Sequence, residues 1–153
     1  MAEHRIVLVG GGHTHVQVLQ AFAKVPEAGA RLTLVSDRVL TPYSGMLPGH
    51  LAGQYPREAM HIDLQHLADR CGAVLVRKAA VGIDRPRRDL LLADGSRLAY
   101  DTLSLNIGIT PDLSGIAGAD HFALSVKPWE PGPRPAAFWW SAAGRPASRS
   151  PWR

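Results

Sequence analysis

At 153 residues, with 46% hydrophobic and 20% charged side chains, the chain is about one domain and long enough to bury a core. No apolar run nears the roughly 20 residues of a membrane span, and a single cysteine, Cys71, excludes an intramolecular disulfide, a C-x-x-C redox pair and a zinc cluster. The formal net charge of +4 does not mark a nucleic-acid surface, because residues 1–128 hold 13 Lys/Arg against 12 Asp/Glu and the excess falls in the last 25 residues.

The first predicted strand is Arg5–Val9, four apolar β-formers after an arginine, and it runs into Gly10-Gly-Gly12. The apolar stretch Ile6–Val9 is too short for a signal peptide and leads into glycines, so a reducing cytoplasm is expected. A helix follows over Thr14–Lys24, with Val16, Leu19, Gln20 and Ala23 on one face. Strand, glycine turn and helix form the first turn of a dinucleotide-binding unit, where backbone must approach a pyrophosphate and helix N–H groups must face it. The pattern G-x-G-x-x-G reads Gly10-x-Gly12-x-x-His15, with the third glycine replaced. A glycine-rich turn after any buried strand would begin the same way. His13-Thr14-His15 also invites a metal reading, but the two side chains diverge by about 200° at a helix start. His13 near the pyrophosphate and His15 at the helix–strand contact are the expected places.

Arg31–Ser36 reads as a second strand, which makes a parallel βαβ unit. Ser36 or Asp37 then stands where an acidic or polar group accepts ribose hydroxyls, with Asp37 the candidate and a plain turn aspartate the alternative. Residues 41–53 mix two prolines and three glycines with Tyr43, Met46 and Leu47. Such a segment reads as a shaped loop over a flat apolar ligand, or as an ordinary packed loop; Pro48-Gly49 argues against a helix. Asp63 is the N-cap of a short helix to Cys71, stopped by Gly72. A third strand is expected over Ala73–Val81, a hairpin over Asp89–Tyr100 centred on Asp94-Gly95, and a last buried strand over Thr102–Ile107. The fold class is therefore α/β: a Rossmann-like parallel sheet with helices and a small antiparallel meander.

From Trp129 the composition changes. All four tryptophans and five prolines lie in residues 129–153, without hydrophobic periodicity. The segment reads as a disordered tail, as a partner-binding or membrane-surface peptide, or as translation out of frame. No P-loop lysine follows the glycines and no G-x-S-x-G surrounds Ser44, so nucleotide hydrolysis and serine hydrolysis are disfavoured. A short NAD(P)-binding dehydrogenase half would replace the hairpin with a further βα unit and add Tyr/Lys catalytic spacing.

Residues 4–128 resemble the two-dinucleotide-domain flavoproteins of the FAD/NAD(P)-binding pyridine nucleotide-disulfide oxidoreductase superfamily. Within it they are most similar to the oxidoreductases associated with, or fused ahead of, selenide, water dikinase, relatives of type II NADH dehydrogenases. The resemblance rests on Val9-Gly-Gly-Gly-His-Thr-His-Val16, Thr41-Pro-Tyr-Ser-Gly-Met-Leu-Pro-Gly49, His61-Ile-Asp-Leu64 and Tyr100-Asp-Thr-Leu-Ser-Leu-Asn-Ile-Gly-Ile-Thr-Pro111. It implies FAD as cofactor, with Gly10, Gly12 and His13 at the pyrophosphate and Ser36 or Asp37 at the ribose. Val81 would lie at the adenine, and Pro42, Tyr43 and Ser44 at the isoalloxazine. Asn106, Gly108 and Pro111 would stand where the chain re-enters the FAD domain. It implies no dithiol relay, since residues 41–53 lack cysteine. Hydride would pass from NAD(P)H to flavin and on to a separate acceptor, such as a quinone. It also implies a functional link to selenide, water dikinase and, besides the cytoplasm, a peripheral place at the inner membrane face. The second glycine fingerprint of that family is missing, and the likeness ends near Lys127-Pro128, where the composition changes. Residues 1–128 are thus expected to be the N-terminal part of an FAD domain, inactive alone; a non-catalytic nucleotide-binding module is the rival.

Overall fold

The computed structural model describes residues 3–108, 112 and 115–118. The elements run β1 (His4–Val9), α1 (His13–Lys24), β2 (Ala30–Val35), β3 (Leu40–Pro42), α2 (Leu47–Leu51), β4 (His61–Asp63) and α3 (Leu64–Cys71). They continue with β5 (Val74–Val76), β6 (Ala80–Asp84), β7 (Asp89–Leu92), β8 (Arg97–Ala99) and β9 (Thr102–Leu105). All belong to one compact unit, Met1–Pro111. The composition change at Trp129 and the expected boundary at 128 lie outside the described residues.

Four parallel strands form the main sheet in the order β5-β2-β1-β9. The chain steps outward from β1 through β2 to β5, then returns to the other side of β1, so the direction of winding reverses between β1 and β9. This is a Rossmann-like α/β fold, as the sequence indicates.

Alternation along β1 explains how both faces are covered. Leu8 packs with Val16 and Leu19 of α1 and with Leu64, Leu67 and Ala68 of α3. Val7 and Val9 point the other way, into Leu90, Leu92 and Tyr100. A parallel strand enclosed on both faces needs an unbroken apolar run, which is what Ile6–Val9 supplies. Each fully buried leucine here contributes about 2 kcal/mol of transfer free energy. At the opposite end of the sheet, Arg5 donates from Nε and Nη2 to the Asp101 carboxylate, each at 3.0 Å. That fork clamps the start of β1 to the start of β9 and holds the Asp101 carboxyl well below the usual carboxylate range.

The caps of α3 match the sequence: Asp63 Oδ1 accepts from the His66 N–H at 3.0 Å, and Gly72 closes the helix in the left-handed region. Four expectations are corrected. Ala73–Val81 is two strands, β5 in the parallel sheet and β6 in an antiparallel sheet with β7 and β8. The break falls at Lys78, whose N–H bonds the Val76 carbonyl and whose ammonium pairs with Asp94. Residues 41–53 are not irregular: Leu40–Pro42 pairs antiparallel with His61–Asp63, and Pro48 is accommodated in the first turn of α2, where no intrahelical N–H is needed. The last strand stops at Leu105 and is the sheet's edge among the described residues, with Leu105 exposed. Gln20 is exposed, and His15 takes its place on the buried face of α1.

Candidate functional site

The parallel register brings three separate motifs to one edge. Val9 is level with Val35 on one side and with Leu105 on the other. The next residue of each strand therefore steps into its neighbour's last carbonyl: Gly10 N–H to Val35 O (2.8 Å), Asn106 N–H to Val9 O (2.9 Å) and Ser36 N–H to Val76 O (3.1 Å). Gly10, Ser36 and Asn106 thus stand in a row at the carboxyl end of the sheet. In open α/β sheets the crevice at this end, where the winding reverses, is where ligands bind.

Close approach explains the glycines. Gly10 adopts φ 94°, and a Cβ there would overlap the Asn106 carbonyl. A Cβ on Gly12 would overlap the Asn106 side-chain amide and lie 2.8 Å from its backbone oxygen. Gly12 N–H donates to that same oxygen at 3.2 Å. Gly11 is pressed by Leu64, whose Cδ1 would be 2.5 Å from an added Cβ. Gly12 is also the N-cap of α1 and gives it no side-chain cap, so the first-turn N–H groups face the crevice without one. Their partial positive charge favours an anion.

His15 is 1% exposed. Its Nδ1–H donates to the Gly10 carbonyl at 2.7 Å, and Nε2 accepts from the Ser104 hydroxyl at 2.9 Å. Burial pushes the imidazole pKa down, opposed by the Gly10 carbonyl. His13 turns elsewhere: its ring lies 4.4 Å, centroid to centroid, from that of Tyr43, tilted by 59°. The two histidines therefore serve different contacts.

Ser36 and Asp37 separate clearly. The Ser36 hydroxyl is buried, donates to the Arg38 carbonyl at 2.8 Å and accepts from the Arg38 N–H at 3.2 Å. Asp37 is exposed just past β2. Pro42 ends β3 opposite His61, Tyr43 N–H bonds the Met60 carbonyl at 2.7 Å, and Ser44 opens a 3₁₀ turn. Tyr43 is half exposed, with its ring against Gly45. Val81 is the extra residue at the register shift between Ala80 and Gly82, the position a bulge leaves outside the ladder. Its side chain is 65% exposed. Gly108 is exposed with no neighbour near an added Cβ, and Pro111 lies outside the described residues. The structure brings together Gly10, Gly12 and Asn106, and separately His13 and Tyr43. Sequence reasoning missed the Ser104 contribution, whose only signal is a hydroxyl between Leu103 and Leu105 of β9.

No family model matches the sequence. The chain is 29% identical over 113 residues to a probable ferredoxin reductase, CtmF, of Castellaniella defragrans, a match covering 72% of this chain and 27% of that protein. Among solved structures it is similar to putidaredoxin reductase in its covalent complex with putidaredoxin (TM-score 0.63, 26% identity, 78% of this chain and 29% of that one). It is also similar in fold to the sulfide:quinone oxidoreductase of Aquifex aeolicus (TM-score 0.66, 21% identity, 77% and 27%). The fold is that of the FAD/NAD(P)-dependent oxidoreductases, and the chain spans little more than a quarter of the length of these relatives. Among the described residues, no helix is long and apolar enough to cross a membrane.

Proposed function

We propose that this chain is the N-terminal FAD-binding part of an FAD-dependent oxidoreductase. The observation that carries the reading is the convergence of the Gly10–Gly12 turn, the uncapped start of α1 and Asn106 at the reversal point of the parallel sheet. The residues present fit the cofactor: the α1 first turn with Gly10, Gly12 and His13 takes the pyrophosphate, and Asp37, exposed where Ser36 is engaged, takes the ribose. The Val81 backbone takes the adenine. Pro42, Tyr43 and Ser44 border the flavin ring, and Asn106 and Gly108 belong to the re-entry segment, for which the resemblance also names Pro111.

FAD, when bound, supplies the redox chemistry; these residues bind it, orient it and exclude water. In the whole protein NAD(P)H is the electron source and a separate carrier the acceptor. A quinone follows from the sequence resemblance, and a ferredoxin or putidaredoxin follows from the names of two relatives. The link to selenide, water dikinase and the peripheral membrane location rest on the sequence resemblance alone. FAD binding is assigned to this chain, and no NAD(P)H oxidation is expected from these 153 residues alone, since the second glycine fingerprint of the resembled family is not among them. Titration of the purified chain with FAD, followed by flavin fluorescence, tests the binding; absence of saturable binding would overturn it. NAD(P)H oxidation by the chain with added FAD would overturn the inactive-alone reading. Resequencing the coding DNA from the Ala123 codon separates an oxidoreductase from a non-catalytic module, because only the first predicts another frame that continues into a second Gly-x-Gly-x-x-Gly unit.

A further inference from the structure

The third position of the glycine pattern, where a small residue usually lets helix and strand close, holds a buried imidazole. Its two nitrogens address two elements, the Gly10 carbonyl on the turn and the Ser104 hydroxyl on β9. A carbonyl can only accept, so Nδ1 carries the proton and the Nε2 lone pair receives the Ser104 O–H. The other polar groups of Gly10 and Gly12 are committed. Gly10 N–H bonds Val35 O, Gly12 N–H bonds Asn106 O, and Gly12 O accepts from Val16 N–H. Without His15 the Gly10 carbonyl would lose its inward partner.

We propose that His15 is the positioning residue of the phosphate-binding turn: it draws the Gly10 carbonyl away from the crevice, and through Ser104 it fixes the turn against β9. A carbonyl turned toward a phosphate would oppose its charge, whereas an inward carbonyl leaves N–H groups on the anion's side. The substitution at the third glycine position is then a gain of function for the turn as well as a packing solution. This inference rests on the FAD reading above.

The test uses the full chain and three variants. His15→Asn keeps a donor near the Nδ1 position and so the Gly10 bond; His15→Gln keeps the reach toward Ser104 but loses Gly10; His15→Ala loses both. FAD affinity by fluorescence and amide hydrogen exchange over residues 10–14 are measured, with thermal melts as the control for folding. Expected is affinity near wild type for H15N and a loss of about tenfold for H15Q and H15A, the scale of one buried hydrogen bond. Faster exchange at the turn should appear in those two only. A merely structural role would rank affinity by melting temperature, without rescue by H15N, and would overturn the proposal. If wild type binds FAD and all variants match it, His15 positions nothing. If wild type binds no FAD, the cofactor reading fails by itself, and the exchange pattern still decides: unchanged exchange in H15Q overturns the positioning role, and selective loosening supports it.

Discussion

Among the described residues, two glycines of positive φ stand directly after a strand or within a strand pair, and the two turns have different causes. Gly10, at φ 94°, is held among the backbone atoms of Asn106, the Val35 carbonyl and the His15 ring. Gly95, at φ 83°, has nothing within reach of an added Cβ. Its hairpin needs only a local backbone shape, supported by Asp94 accepting from Ser96 N–H at 3.1 Å. One turn is shaped by close packing against distant backbone, the other chiefly by its own residues, with the Lys78 ammonium on Asp94 as a contact from outside the hairpin. A positive-φ glycine thus lies at the candidate site in one place and at a simple reversal in the other.

Substitution should expose that difference. Gly10→Ala adds a dihedral penalty to an overlap with backbone that cannot move aside, and is expected to destabilise by about 3 kcal/mol. Gly12→Ala keeps an ordinary φ of −71° but meets Asn106, for about 2 kcal/mol. Gly95→Ala carries the dihedral penalty alone, about 1 kcal/mol. Chemical denaturation of the three variants checks the order; a Gly95 variant as damaging as the Gly10 one would erase the distinction. Asp37→Asn sharpens it from the other side, with weaker FAD binding and an unchanged melt.

The smallest expected effect is pH-dependent. The folded His15 holds its neutral form against protonation, whereas in the unfolded chain it titrates near about pH 6.5. The unfolded state therefore binds more protons below that point, so this contribution is complete above about pH 6.5 and is lost as pH falls further. The neighbouring ionisable groups are occupied or outward-facing. His13 lies on Tyr43, His4 and Arg5 bond Thr102 and Asp101, and His66, Asp69 and Arg70 are exposed on α3. Melting temperatures at about pH 7.5 and about pH 5 should differ more for wild type than for His15→Asn. Equal shifts would assign the effect to other groups.

What was legible in the sequence was local. The strand-to-glycine turn shows in its residue types, and the Asp63 cap, its Gly72 stop and the Asp94–Ser96 bond of the hairpin each span only a few residues. What was not legible depended on partners far along the chain. The break at Lys78 is stabilised by Asp94, and the β3–β4 ladder joins Leu40 to Asp63. The second bond of His15 reaches 89 residues to Ser104. At the candidate site the residue types were readable, but the choice between neighbours was not. Ser36 and Asp37 are adjacent polar residues in sequence, and only the fold turns one hydroxyl into the Arg38 backbone and leaves the other side chain outside.

The contact between Gly11 and Leu64 joins the glycine turn to the first residue of α3, whose N–H is itself fixed by the Val39 carbonyl. Positions 11 and 64 consequently share one fixed volume. A methyl gained at the first must be surrendered at the second, so the two should tolerate change only together. A Gly11→Ala, Leu64→Ala double-mutant cycle would show strong favourable coupling. Remodelling of the segment between β2 and α3 is constrained in the same way, since moving the start of α3 shifts the floor on which the turn rests.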